Sequence, residues 1–182
     1  MHGSLTALAL MTVLLTGPMA APVSAQPAPE AVKAAFVFNV LNFVEWPSQV
    51  GTNAPLRIAV IAPKPPTAFV AGLKGRSIRG RTIAVQTYDN IDALEQPEVV
   101  FISAESSSQL TSLLKKVEGR PVLSISEQSL SAPVESTVAL GIVDTRLAFA
   151  VNLDVADASG LQFSPNLLKL AKSVKSARAK TR

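Results

Sequence analysis

Between Val32 and Val44 the apolar residues recur at three- and four-residue steps. Val32, Phe36, Val40 and Phe43 form one row, and Val37, Leu41 and Val44 flank it. That spacing predicts a helix over about 30–45 with one broad apolar face. Asn39, Asn42 and Glu45 share the opposite side, and Phe38 and Trp46 fall there with them. Pro47 ends the helix, because a proline biases its predecessor away from helical torsions.

After a polar loop at 48–55 the pattern shortens. Residues 56–62 (LRIAVIA) form an apolar run between prolines, as a buried strand does. Residues 65–73 read as a short helix with proline in its first turn. Strands are predicted at 82–88 (TIAVQTY), 98–103 (EVVFIS) and 121–126 (PVLSIS), with a short helical segment at 91–96 and a helix at 105–117. This alternation argues for a largely parallel sheet covered on both faces.

The pattern then changes. Residues 137–143 (TVALGIV) and 146–153 (RLAFAVNL) are separated only by Asp144 and Thr145, a gap that suits a β-hairpin. Two helices close the chain. One covers about 153–159, with Asn152 as a candidate N-cap, and ends at Gly160. The other starts after Ser164, with Pro165 at its first position and apolar residues at Leu167, Leu168, Leu170, Ala171 and Val174. The expected fold is α/β: a three-layer α/β/α sandwich around a mixed, largely parallel sheet that ends in an antiparallel hairpin.

The first residues stand apart. Residues 5–17 (LTALALMTVLLTG) are an apolar run of signal-peptide length, and Val23, Ser24 and Ala25 supply small residues for cleavage before Gln26. No Lys or Arg precedes the run, so an uncleaved anchor is the alternative. The run is nevertheless short for a span of ~20 residues. The expected organisation is a signal peptide at 1–25, a linker at 26–29, one domain at 30–176 and a basic tail at 177–182.

Charge is uneven. The formal net charge is +4, yet Lys169, Lys172, Lys175, Arg178, Lys180 and Arg182 all follow the last acid, Asp157. Without them the chain is near neutral, which speaks against nucleic acid as a partner. On a C-terminal helix these cations complement the dipole at its end; the alternative is attraction to an anionic membrane surface.

The chemistry open to the chain is narrow. It has no cysteine, and its one histidine, His2, lies in the segment expected to be removed. That excludes His-dependent nucleophile pairs and zinc sites built on thiolate or imidazole. Residues 75–82 (GRSIRGRT) space their glycines like a phosphate loop, but Arg81 stands where lysine belongs and a strand follows. A surface loop with solvated Arg76, Arg79 and Arg81 is the reading favoured. Asp154 and Asp157 share a helix face, where first-turn acids offset the dipole. No cofactor or metal site is expected. Phe38 and Trp46 are either covered by another element or form an aromatic contact patch.

Residues 34–47 carry a resemblance. Ala35, Phe36, Phe38, Asn39, Phe43, Val44, Trp46 and Pro47 match the opening of the YfiR/HmsC-like family of periplasmic proteins. The likeness continues through Arg57 and Ile58, Gly80 and Arg81, Phe101 to Ser103, and Pro121 to Ser126. It ends with Arg146, Leu147, Phe149, Val151, Asn152 and Leu153, then Ser164 ahead of Leu167 to Ala171. The resemblance implies an exported α/β sandwich that binds the periplasmic part of an inner-membrane diguanylate cyclase. Such binding represses cyclic-di-GMP synthesis and biofilm formation. An outer-membrane lipoprotein is a further implied partner, and a homodimer is compatible with it. Partner-binding candidates are Phe38, Asn42, Trp46, Arg146, Phe149 and Asn152.

The chain departs from the family pattern in three places. It lacks cysteine before the third strand, so disulfide control is absent. Val134, Glu135 and Ser136 replace a glycine pair. Ala148 and Ala150 stand where the hairpin strand often carries a base and an acid. The alternative function is a small-ligand-binding sensory module, because open α/β sheets bind ligands beyond their strand C-termini.

Overall fold

A computed structural model describes residues 28–47 and 54–176. The expected signal peptide, half of the linker, most of the first loop and the basic tail lie outside the described residues.

The chain begins with helix α1 (Pro29–Asn42) and the two-residue strand β1 (Val44–Glu45). Strand β2 (Leu56–Ile61), helix α2 (Thr67–Leu73) and strands β3 (Ser77–Ile78), β4 (Arg81–Tyr88) and β5 (Val99–Ile102) follow. A 3-10 segment (Ala104–Gln109) runs into helix α3 (Leu110–Val117). Then come strands β6 (Leu123–Glu127), β7 (Val138–Val143) and β8 (Arg146–Asn152). Helix α4 (Leu153–Ala158), strand β9 (Gln162–Phe163), helix α5 (Pro165–Leu168) and strand β10 (Ser173–Lys175) end the described chain.

Eight strands form one sheet in the order β10-β8-β7-β6-β5-β2-β4-β3. The pairs from β7 through β6, β5 and β2 to β4 are parallel, as is β10–β8, whereas β7–β8 and β3–β4 are antiparallel. Strand alternation divides the core. Leu56, Ile58, Val60, Phe101, Leu123 and Leu140 face α1 and α2, and Phe69 meets Phe101 at 4.4 Å between ring centroids. Ala59, Ile61, Val100 and Ile102 face Leu113 and Val117 of α3. The three-layer α/β sandwich with its terminal hairpin is therefore present.

The turn between β7 and β8 is the two-residue connection expected, with Val143 opposite Arg146. Asp144 and Thr145 both take positive φ, 47° and 65°, as a type I′ hairpin turn demands. Thr145 is β-branched and strained there. Thr145→Gly should raise stability by about 1 kcal/mol, read as a higher denaturant midpoint with unchanged slope.

At the opposite end of the sheet, Arg81 is pinned. Its Nη2 lies 2.8 Å from Glu98 Oε2, its Nε donates to the Ala54 carbonyl at 2.7 Å, and Arg57 N–H donates to Glu98 Oε2 at 3.1 Å. This cluster ties together the N-terminal ends of β2, β4 and β5.

Three expectations fail, each for a local reason. Helix α1 stops at Asn42, because Val44 and Glu45 pair with Phe163 and Gln162. Residues 91–96 form turns rather than a helical segment. There the Gln109 side chain accepts from Ile91 N–H, and Lys116 Nζ donates to the Ile91 and Asp92 carbonyls. The C-terminal helix amounts to one turn. After Leu168 the chain leaves it, Lys172 N–H bonds the Phe149 carbonyl at 2.8 Å, and β10 pairs parallel to β8. Pairing with the outer edge of β8 satisfies backbone groups that an amphipathic helix would leave exposed there.

Candidate interaction surface

Helix α1 lies on the sheet through Ala34, Val37, Val40 and Leu41, all buried. Phe36 rests on Phe149 of β8 at 5.0 Å between centroids. Phe38, on the opposite side, is half-buried and packed against the core. The Arg76 guanidinium covers its ring, 3.3 Å from the centroid. This is a cation–π contact of about 0.5–1 kcal/mol at such a site. Asn42 Nδ2 donates to the Phe38 carbonyl at 2.8 Å, and Arg79 Nη2 donates to the Asn42 carbonyl at 3.3 Å.

Trp46 lies beyond the helix. It is half-buried against the core, and its Nε1 is buried without a hydrogen-bond partner among the described residues. Val44 and Glu45 hold it in place through β9, as does Ser164 N–H on the Phe43 carbonyl at 2.9 Å.

The β8 candidates separate along their strand. Arg146 is exposed at its start. Phe149 is buried beneath α1. Asn152 is buried, and its whole side chain is engaged. Nδ2 donates to the Val134 carbonyl at 2.7 Å, while Oδ1 accepts from Asp154 N–H at 3.2 Å and Val155 N–H at 3.4 Å. Asn152 is thus the cap of α4. The six candidates form two groups that meet only where Phe36 touches Phe149.

Of the three arginines expected to be solvated, Arg76 and Arg79 are exposed and Arg81 is half-buried, yet each has a partner. Arg76 lies on Phe38, Arg79 reaches the end of α1, and Arg81 is tied to Glu98. The loop that mimics a phosphate loop is a β3–β4 hairpin, with Arg79 and Gly80 at positive φ of 49° and 81°. No spacing rule could have paired Arg76 with Phe38, because α2 and its exit turn make that contact.

Three open clefts flank these elements. One of about 360 Å³ lies between α3 and α4 and is lined by Leu114, Val117, Val122, Val155 and Ala158. A second, about 320 Å³, lies beyond the C-terminal ends of β2 and β5. There Lys33 bridges Glu30 and Glu127. Burial works to lower the Lys33 pKa, but its hydrogen bonds to Glu127 and Glu30, and their charges, outweigh it and hold the pKa above the ordinary value. The third, about 250 Å³, lies between Lys33 and the β7–β8 hairpin. Among the described residues no group of His, Cys, Asp and Glu could hold a metal ion.

The sequence profile of the YfiR/HmsC-like proteins matches residues 30–172. This chain belongs to that family. Its members are periplasmic regulators of cyclic-di-GMP signalling, and their role is regulatory rather than catalytic. No helix among the described residues is long and apolar enough to cross a membrane. The fold is also similar to a crystal structure of a conserved domain protein from Vibrio cholerae O1 biovar El Tor. The TM-score is 0.51 at 10% identity, over 81% of this chain and 60% of that one. The chain therefore spans less than two thirds of that protein, and the likeness concerns the fold alone.

Proposed function

We propose that this chain is a periplasmic negative regulator that binds the periplasmic part of an inner-membrane diguanylate cyclase and represses cyclic-di-GMP synthesis, and with it biofilm formation. Its membership of the YfiR/HmsC-like family over residues 30–172 is the observation that supports this reading. The mechanism is differential affinity. A protein ligand shifts its partner between active and inactive states only by binding one more tightly.

Phe38 beneath Arg76, together with Asn42 and Trp46, offers one contact region, and exposed Arg146 offers another. Phe149 and Asn152 act from beneath, by fixing where β8 and α4 lie. An outer-membrane lipoprotein that sequesters the protein would release the cyclase. Export by a cleaved signal peptide at 1–25 belongs to the same proposal.

Deleting the gene should raise cellular cyclic-di-GMP several-fold, measured by mass spectrometry of nucleotide extracts. Restoring the wild-type gene should bring it back. Unchanged levels in the deletion strain would exclude a repressor role.

A further inference from the structure

Among the described residues, four large apolar side chains are exposed: Val32, Ile142, Leu170 and Val174. Leu170 and Val174 lie along the outer edge of the sheet beside β8, whereas Val32 and Ile142 lie toward the β7–β8 hairpin. Ile142 pairs with Leu147 across the β7–β8 hairpin. Val174 stands beside Val151 on the outermost strand, β10. Leu170 lies two residues before Lys172, whose N–H bonds the Phe149 carbonyl. Val32 is one helical turn before Phe36, which rests on Phe149.

Cations share this edge. Arg146, Lys169, Lys172 and Lys175 are exposed, and none takes part in an ion pair among the described residues. Asp144, Asp154 and Asp157 are the acids nearest in the chain. After Asp157 the sequence holds only basic charges, with Arg178, Lys180 and Arg182 still to come. As a helix terminus the lysines would have complemented a dipole. That role is gone, because the segment is an edge strand after a single helical turn.

We propose that the β8–β10 edge docks on an anionic membrane surface, with Lys169, Lys172 and Lys175 among the lipid phosphates and Leu170 and Val174 set against the acyl boundary. Isolated apolar side chains flanked by flexible lysines fit a diffuse phosphate layer. Charge selects the occupant: these lysines have no ion-pair partner among the described residues, and every charged residue after Asp157 is basic. Docking would orient the molecule on the membrane that carries its partner, whichever face of the protein the partner uses.

Flotation of the purified native protein with vesicles tests this. Vesicles of phosphatidylglycerol and phosphatidylcholine in about equal parts should carry the protein up the gradient, and raised salt should release it. Replacing the three lysines by glutamine (K169Q, K172Q, K175Q) should lower the partition coefficient on the order of a hundredfold. Leu170→Ser, at a residue already 72% exposed, should lower it several-fold without disturbing the fold. It decides the matter if circular dichroism finds the triple variant unfolded. Absence of flotation overturns the proposal and leaves the edge to an acidic protein partner. Equal flotation with phosphatidylcholine alone overturns it too, as does binding unchanged in both variants and carried by Arg178, Lys180 and Arg182.

Discussion

Glu98→Ala should lower stability by about 3 kcal/mol, seen as a lower urea midpoint at neutral pH. The substitution leaves Arg81 charged at the sheet's N-terminal end without its carboxylate. Glu98 Oε2 serves both the Arg81 guanidinium, at 2.8 Å, and Arg57 N–H, at 3.1 Å. Removing it therefore strands a cation and a backbone donor together. Arg81 keeps its bonds to the Ala54 and Pro55 carbonyls, which holds the cost near the lower end for a broken buried pair. The double variant Arg81→Met, Glu98→Leu should recover a large part of the loss, because it removes both charges. A double variant as unstable as Glu98→Ala would mean that the charge pair contributes little and that Glu98 acts through Arg57 N–H and packing.

Gly72→Val should cost about 3 kcal/mol and, under the proposed repressor role, raise cellular cyclic-di-GMP as well. A Cβ at Gly72 would stand 2.7 Å from the Ala34 Cβ, closer than two carbons can approach. The contact joins α1 to α2, and neither helix can yield without moving the layer that covers the sheet. Overpacking of this kind typically costs about 1–3 kcal/mol, and the branched side chain lies at the upper end. Four residues beyond Gly72 stands Arg76, the residue over Phe38. Prying α2 away would uncover that ring. Thermal unfolding reads the first effect and cyclic-di-GMP in complemented cells the second. Ala34→Gly in the same chain should restore part of both, since it removes the opposing methyl group. An unchanged melting temperature for Gly72→Val would rule out the tight crossing.

The sequence displays those elements whose cause is local. The Asp144-Thr145 gap between two alternating runs is enough to specify a hairpin, and the hairpin is there. The apolar runs of β2, β5 and β6 are legible for the same reason, because strands buried on both faces keep their interior positions to apolar residues or small serines. Elements that depend on a distant partner are not legible. Val44 and Glu45 continue a helical pattern until Phe163 and Gln162 supply backbone groups to pair with. Leu167 to Val174 is as amphipathic as many helices, yet the outer edge of β8 claims its end.

The interaction candidates divide in the same way. Phe38 and Trp46 are conspicuous in the chain because they break the apolar stripe. Their setting depends on Arg76 in one case and on the β1–β9 pairing in the other, neither of which follows from spacing. Asn152 is legible as a cap for α4, and capping is what its side chain does.

The short ladder between β1 and β9 joins two segments separated by most of the described chain. Closing so long a loop is slow relative to forming the hairpins and local crossovers. The N-terminal helix can settle on the sheet early, but the segment bearing Trp46 cannot be fastened until Gln162 and Phe163 have emerged. Under the proposed export from the N-terminus, the segment bearing Trp46 would emerge well before residues 162–163 and stay unfastened on the far side until they follow.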